Sequence, residues 1–273
     1  MAGIAASNIA LPAYTHVGLL PLLPPLGITG LEVAPSRIWP DTWRGLSHRS
    51  VEAYRRDVEA AGLRVVGLHS LFFDHPELGL FEKSQARRDS IEFLAHLSGI
   101  CRDLGGRTLI WGGNRRRREL HEKDARIACR SFLDALLPQI EAHGTKLCFE
   151  PLGPRDTDFL NSAAECAALT DEINHPALGI QLDAKALVEN TESSPATFER
   201  IRGRIDHFHA NDPGLLPVGS TRTIDHASLG ACLRAIEYDG WVSIEQRMLD
   251  NADPIATLGI SAACIRDCYF PRI

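Results

Sequence analysis

Residues 146–183 read KLCFEPLGPRDTDFLNSAAECAALTDEINHPALGIQLD, and this stretch contains the repeating unit that predicts the fold. Two short apolar runs, Lys146–Glu150 and Leu178–Asp183, flank a helical pattern over Ser162–Ile173. Continuous apolar runs are typical of strands that are buried on both faces, as in a parallel sheet. The stretch therefore predicts a strand–helix–strand unit whose two strands run in the same direction.

The same alternation extends in both directions along the chain. Six further apolar runs have the length of strands: Ile4–Ile9, Gly30–Val33, Arg64–Leu68, Arg107–Trp111, Ile205–His209 and Trp241–Glu245. Between the runs lie helical patterns, of which the clearest are Ser47–Ala61, Ser84–Leu104, Glu122–Ala142, Ser162–Ile173 and His226–Ile236. Eight strands that alternate with helices predict an α/β fold of the (β/α)8 TIM barrel type. A doubly wound open sheet is the second choice, but no Gly-rich phosphate turn follows the first strand.

Length and composition are those of a globular protein. The chain has 273 residues, of which 44% are hydrophobic and 23% charged, so we expect residues 1–273 to form a single domain. No stretch approaches the roughly 20 apolar residues that a membrane span needs, so we expect no membrane association. The net charge of −6 disfavours a nucleic-acid partner, because phosphate contacts require a basic surface.

The seven cysteines are scattered along the chain, and no two of them form a CxxC pair. Their spacing predicts neither a zinc knuckle nor a disulfide framework. We interpret them as buried free thiols, since a free cysteine packs like a small hydrophobic residue. Free thiols persist in a reducing compartment, so we expect a cytoplasmic protein.

Four consecutive predicted strands end in a side chain that can bind a metal, namely Glu150, Asp183, His209 and Glu245. In a TIM barrel the carboxyl ends of the strands form the active-site face. Carboxylates at the ends of buried strands need a cation or hydrogen-bond donors as partners. Each residue alone is also compatible with a helix cap or a structural hydrogen bond, but together they predict one divalent metal site. Its mostly oxygen donor set favours Mn²⁺ or Mg²⁺, with Co²⁺ or Zn²⁺ as alternatives.

Four more polar residues near strand ends are candidates for substrate binding. His69 closes the third predicted strand, and Glu32 lies at the end of the second. Asn114 and Arg115 follow a Gly-Gly turn after the fourth strand, and Arg115 opens the run Arg115–Arg118. Arginines in such a run could clamp a phosphate or a carboxylate. The alternative interpretations are hydrogen-bonded structural residues for His69 and Glu32, and a solvated charge run for the arginines.

The sequence at these strand ends resembles the xylose isomerase-like TIM barrel superfamily. The resemblance covers nearly the whole chain and rests on GLEVAP from residue 30, FEP from 149, LD at 182–183, HFHANDP from 207 and DGWVSIE from 239. The sugar phosphate isomerase/epimerase branch includes ketose 3-epimerases, hydroxypyruvate isomerases and inosose dehydratases. The resemblance implies that Glu150, Asp183, His209 and Glu245 are metal ligands. In the epimerases it also makes the two glutamates the acid/base pair.

The sequence departs from the epimerase pattern at two positions. Ala186 stands where the epimerases place a substrate-binding histidine, and Leu215 lies where an arginine is expected after the seventh strand. The acid that the pattern places six residues after Glu150 is present as Asp156. Lys185 is a candidate replacement for the lost histidine contact, and its alternative is a solvated lysine at a helix start.

The leading hypothesis is a divalent-metal-dependent isomerase or epimerase that acts on a sugar, sugar acid or sugar phosphate through an enediolate. The alternative is a metal-dependent lyase or dehydratase of a keto-sugar or inosose on the same site, since an enediolate can also expel a β-hydroxyl. A non-catalytic barrel and an apurinic endonuclease are two further alternatives. The endonuclease needs more histidine and acid ligands than this chain offers. The expected partner is a small carbohydrate, and a homodimer is an assembly that barrels of this group commonly form.

Overall fold

Eight parallel strands close into a barrel in a computed structural model that describes residues 1–271. Each strand pairs with the next along the chain, and β1 also pairs with β8. The strands are β1 Gly3–Ser7, β2 Ile28–Val33, β3 Arg64–Leu68, β4 Thr108–Trp111, β5 Lys146–Phe149, β6 Leu178–Asp183, β7 Ile205–Ala210 and β8 Trp241–Ile244. The predicted (β/α)8 TIM barrel is confirmed.

The α-helices pack around the outside of the barrel. They are α1 His48–Ala60, α2 Ser84–Leu104, α3 Glu122–His143, α4 Ala163–Ile173, α5 Ala184–Glu189, α6 Pro195–Arg200, α7 His226–Ala235 and α8 Pro254–Tyr269. Between β1 and β2 the chain forms 3-10 turns, His16–Leu22 and Pro24–Leu26. Pro21 lies inside the first of them and Pro24 begins the second, so a continuous α-helix is disfavoured here.

Local hydrogen bonds set several element boundaries. Ser162 caps α4 with a capping box, in which its hydroxyl accepts from the Glu165 N–H and the Glu165 carboxylate accepts from the Ser162 N–H. The first strand is shorter than predicted: β1 ends at Ser7, whose hydroxyl accepts from the Ile9 N–H and starts a 3-10 turn. This early end places the Ser7 side chain at the barrel mouth.

The main core lies between the barrel and its helices. Its largest fully buried side chains include Trp111, Phe132 and Phe149, with the rings of Trp111 and Phe149 stacked at a centroid distance of 5.4 Å. All seven cysteines are free thiols, and five of them are buried, which confirms the predicted free thiols. Within residues 1–271, no helix is sufficiently long and apolar to cross a membrane.

Glycine is required inside the barrel where neighbouring strands approach closely. A Cβ atom on Gly30 of β2 would lie 2.8 Å from both the Ala5 Cβ and the Val66 Cγ1. It would also lie 2.9 Å from the Trp241 ring. The contacts come from strands β1, β3 and β8, so no single side chain can move away to make room.

We expect Gly30→Ala to lower the free energy of unfolding by about 1–3 kcal/mol, because it overpacks the barrel interior. Gly18→Ala is the matched control, since a Cβ atom there would have no atom of the described part of the chain within 4 Å. The control should leave the stability unchanged or raise it by up to about 1 kcal/mol. Urea unfolding of both variants measures the difference, and equal stabilities would contradict the close packing at Gly30.

Candidate metal centre and pocket

A cavity of about 210 Å³ opens at the carboxyl ends of the strands. Its lining includes His69, Asn114, Glu150, His209 and Glu245, together with the apolar loop that follows β3. A larger cavity of about 840 Å³ lies at the opposite end of the barrel and is lined by residues at the starts of the strands. Because three of the predicted metal ligands line the smaller cavity, we take it as the candidate site.

The four predicted ligands converge at this cavity. One ligand atom from each of Glu150, Asp183, His209 and Glu245 can be chosen so that all lie within 4.8 Å of one another. Nδ1 of His209 lies 3.6 Å from a Glu150 carboxylate oxygen and 3.5 Å from a Glu245 oxygen. The first three side chains are buried, and that of Glu245 is 15% exposed. Adjacent strands β5 to β8 thus direct these side chains to one point.

The charges in this cluster are not balanced by the protein's own groups. Burial, together with the Glu150 and Glu245 carboxylates, raises the pKa of Asp183 to about 8. Burial also opposes ionisation of Glu245, but the charge of His209 outweighs it and holds the pKa of Glu245 well below its usual range. The three carboxylates thus have the imidazole of His209 among them and that of His69 beside Glu245 at 3.6 Å. Nδ1 of His209 is buried and has no hydrogen-bond partner among the described residues. This donor set, three carboxylates and a free imidazole nitrogen, fits a divalent cation.

Asn211 connects the ligands and was not identified from the sequence. Its side-chain nitrogen donates to a carboxylate oxygen of Asp183 and to one of Glu245, the latter at 2.9 Å. Its side-chain oxygen accepts from the Lys185 N–H at 3.0 Å. The other Asp183 oxygen accepts from the Ala186 N–H, which makes Asp183 the N-cap of α5. The position of Asn211, two residues after His209, was the available signal.

His69 is placed beside the cluster. Its Nε2 lies 2.5 Å from the Ser7 hydroxyl, and its Nδ1 lies 3.6 Å from a Glu245 carboxylate oxygen. Asn114 also lines the cavity, but its side-chain nitrogen donates to the Leu78 carbonyl at 2.8 Å. Phe73, in the loop after β3, lines the same cavity with 77% of its surface exposed. The cavity therefore has a polar side at the strand ends and an apolar side on this loop.

Lys185 and Asp156 lie close to each other near the cluster. The Lys185 Nζ is 3.6 Å from an Asp156 carboxylate oxygen and 3.8 Å from one of Glu189. Burial lowers the pKa of Lys185, but the carboxylates of Glu189 and Asp183 outweigh it and raise the pKa above its usual value. The lysine is thus a cation with two carboxylate neighbours, and about a quarter of its side chain is exposed.

Arg115 and Glu32, two of the predicted substrate-binding residues, are not part of the cavity lining. Arg115 is fully buried, and its guanidinium donates to the backbone carbonyls of four residues: Gly112, Glu150, Phe159 and Leu160. These bonds use its donors to hold the loops after β4 and β5 together. Elsewhere in the run, Arg118 pairs with Glu82 at 2.9 Å. The sequence suggested that Arg115 could bind a phosphate. In the structure its guanidinium is instead occupied by hydrogen bonds to backbone carbonyls.

Glu32 is fully buried behind the cluster. Each of its carboxylate oxygens lies 3.0 Å from Nε2 of His209. It also accepts a hydrogen bond from the Ser243 hydroxyl at 2.7 Å and lies 3.1 Å from Nε2 of His207. Burial raises the pKa of Glu32, but the charges of His209 and His207 outweigh it, so the pKa lies well below its usual value. Glu32 is therefore a buried carboxylate with histidine partners.

The chain is similar to known TIM-barrel proteins in both sequence and structure. A family model described as xylose isomerase-like TIM barrel matches residues 24–268. An L-ribulose 3-epimerase structure is 18% identical with a TM-score of 0.81, covering 99% of this chain and 95% of that one. A 3-keto-D-glucoside 4-epimerase from E. coli is 18% identical with a TM-score of 0.78, covering 98% and 100%. D-psicose 3-epimerase from Clostridium cellulolyticum H10 is 15% identical with a TM-score of 0.81, covering 99% and 100%. At these identities the likeness shows a shared fold.

We expect Arg115→Met to lower the free energy of unfolding by about 3 kcal/mol or more, because it leaves several buried carbonyls without a donor. Arg118→Met is the matched control, since Arg118 is 71% exposed and its ion pair lies at the surface. The control should change stability by no more than about 0.5 kcal/mol. Chemical denaturation measures both, and a similar small loss in the two variants would contradict a structural role for Arg115.

Proposed function

The chain belongs to the xylose isomerase-like TIM barrel family, and we propose that it is a single-domain, divalent-metal-dependent isomerase or epimerase of a small carbohydrate. The observation that carries the proposal is the convergence of Glu150, Asp183, His209 and Glu245 at the cavity on the carboxyl-terminal face of the barrel. The similar structures reported above are sugar epimerases by name, which supports the same class of reaction.

The ion would be held by the three carboxylates and by Nδ1 of His209. Mostly oxygen donors favour Mn²⁺ or Mg²⁺, with Co²⁺ or Zn²⁺ as alternatives. When bound, the ion supplies positive charge that stabilises the negative charge developing on the substrate oxygens. Asn211 would keep the Asp183 and Glu245 carboxylates in place through its two hydrogen bonds.

Proton transfer would be performed by Glu150 and Glu245. The carboxylates reach the cluster from β5 and β8, and each lies about the same distance from Nδ1 of His209, 3.6 and 3.5 Å. One carboxylate removes a proton from the carbon next to the substrate carbonyl, and the C–H electrons form the enediolate. The other glutamate, after taking up a proton from solvent, donates it to the enediolate to complete the isomerisation or epimerisation, and the first glutamate then releases its proton to solvent. His69, whose Nδ1 lies 3.6 Å from a Glu245 carboxylate oxygen, would help to orient that carboxylate.

The cavity supports a small substrate with one polar and one apolar side. Its volume of about 210 Å³ suits a single sugar or sugar acid. Phe73 and its loop would cover the C–H face of the sugar and exclude water. Lys185 is the remaining candidate for a substrate anion, but it lies outside the cavity lining and pairs with Asp156 and Glu189. A sugar phosphate has less support than the other two classes, because the guanidinium of Arg115 is engaged by backbone carbonyls.

A lyase or dehydratase reaction on the same site is the second candidate. The observation in its favour is at α5, where Ala186 is buried and contributes only its N–H, to Asp183. Ala186 stands where the epimerase pattern places a substrate-binding histidine, so that contact is missing. An enediolate held without it can expel a β-hydroxyl instead of accepting a proton.

We expect Mn²⁺ to raise the melting temperature of the protein, because a ligand at 100 times its Kd stabilises the native state by about 2.7 kcal/mol. Glu150→Gln should lose most of this increase, since it removes one charged ligand. Glu189→Gln is the matched control: Glu189 is 43% exposed, pairs with Lys185 and is not one of the four ligands. Differential scanning fluorimetry with and without Mn²⁺ measures all three. Equal increases in all three proteins would contradict the metal site.

The reaction is tested by incubating the Mn²⁺-loaded protein in D₂O with ketoses, inositol ketones and sugar phosphates. We expect one of these compounds to incorporate deuterium from the solvent at the carbon next to its carbonyl. The same compound should be converted to an isomer without loss of water. Glu150→Gln and Glu245→Gln should each reduce this exchange by about 10²- to 10⁴-fold. NMR and mass spectrometry detect both outcomes, and a deoxy-keto product would establish the lyase reaction instead.

A further inference from the structure

We propose that Glu32 is a positioning residue of the metal centre, and that its carboxylate keeps the proton of His209 on Nε2 so that Nδ1 is free to bind the ion. The inference rests on the proposed function, because it assumes that an ion binds at the cluster. It gives Glu32 a different role from the substrate contact that its position at a strand end suggested.

The first support is the complete burial of Glu32 and the chemistry of its partners. Glu32 comes from β2, on the other side of the barrel interior from β6 and β7, and its side chain is fully buried. A buried carboxylate is costly unless donors surround it. Here the donors are the Ser243 hydroxyl at 2.7 Å and Nε2 of His209 at 3.0 Å, and Nε2 of His207 lies 3.1 Å away without the geometry of a hydrogen bond. The carboxylate therefore lies where it can act only on these neighbours.

The second support is the direction of the His209 ring. When an ion is bound, the imidazole of His209 is neutral and carries its proton on one nitrogen and a lone pair on the other. An ionised carboxylate can only accept, so the nitrogen facing Glu32, Nε2, carries the proton. Nδ1 then offers its lone pair. Nδ1 is buried, finds no hydrogen-bond partner within residues 1–271, and lies 3.6 and 3.5 Å from the Glu150 and Glu245 oxygens. A carboxylate on the far nitrogen also increases the basicity of the ligating one.

A direct role of Glu32 in binding an ion is the competing explanation. Ligand atoms of Glu32, His207 and His209 also lie within 4.8 Å of one another. However, Nε2 of His209 is hydrogen-bonded to the carboxylate at 3.0 Å, so this nitrogen is already used. Nε2 of His207 lies 3.1 Å from the same carboxylate, an ion-pair distance that leaves little room for an ion between the two groups. The two explanations predict different numbers of bound ions, one or two per chain.

Isothermal titration of the metal-free full chain with Mn²⁺ tests the proposal. We expect one ion per chain, and Glu32→Gln should weaken its binding by about 10- to 100-fold, as removal of a carboxylate behind a metal-bound histidine does. Asp206→Asn is the matched control, since it removes the same charge from the opposite end of the barrel, where Asp206 pairs with Lys146 at 2.6 Å. The control should change the Kd less than threefold.

Thermal unfolding of the metal-free variants separates positioning from a general loss of structure. A variant that stays folded but binds Mn²⁺ weakly supports positioning. Wild-type affinity in a folded Glu32→Gln protein, or two ions in the wild type, would overturn it. If the wild type binds no Mn²⁺ at all, the proposed function fails instead, so the two failures can be told apart.

If Glu32→Gln does not fold, NMR of the wild type loaded with Mg²⁺ decides the question. In protein labelled with ¹⁵N-histidine, the imidazole whose signals shift on adding Mg²⁺ should show a proton on Nε2 and none on Nδ1. A proton on Nδ1 of that imidazole would contradict the role of Glu32. This measurement reports the tautomer itself and does not depend on activity.

Discussion

The mutual repulsion of three carboxylates around His209 is the constraint on which the site depends. Glu150, Asp183 and Glu245 converge where the solvent is largely excluded, and the pKa of Asp183 rises to about 8 as a result. Buried like charges at such separations need positive charge or protons. A divalent cation supplies positive charge to all three at once, and the candidate centre therefore explains why the barrel tolerates this arrangement at its mouth.

The barrel meets this constraint with supporting groups on several strands. Asn211 on the loop after β7 donates to Asp183 and Glu245, and the first turn of α5 donates to Asp183. Glu32 lies deeper in the barrel and contacts the opposite edge of the His209 ring. The carboxylates of Asp183 and Glu245 are thus held by hydrogen bonds, and the ring of His209 is held by a fourth carboxylate, that of Glu32. In the proposed metal centre, such support would fix the orientation of the ligands before an ion binds.

Much of the barrel was accessible from the sequence, because buried parallel strands leave a strong local signal. The predicted boundaries of α2 match the structure, and the four strand-end residues meet as the shared position on β5 to β8 suggested. Other features, some of them local, were missed. The helix α8 was not identified, and β1 ends early because of a serine turn. The sequence suggested that Arg115 could bind an anion. It does not reveal that backbone carbonyls after β5 accept hydrogen bonds from the Arg115 guanidinium.

The roles of Glu32 and Asn211 depend on contacts across the barrel, which are remote in sequence. Glu32 and His209 are 177 residues apart, so only closure of the barrel brings them together. The cytoplasmic location and the homodimer stay predictions from the sequence. Residues of the loops after β3 and β4 line the cavity, but side chains of the second loop partly serve the fold, as Asn114 and Arg115 do. The candidate metal centre, in contrast, consists of residues whose positions are determined by the strands.

The most direct measurement is an anomalous difference map from crystals grown with Mn²⁺, with data collected on both sides of the manganese absorption edge. The account predicts one strong peak in each chain, in contact with the carboxylates of Glu150, Asp183 and Glu245 and with Nδ1 of His209. A map without a peak at this position, or with its only peak between Glu32 and His207 or in the cavity at the opposite end of the barrel, would contradict it.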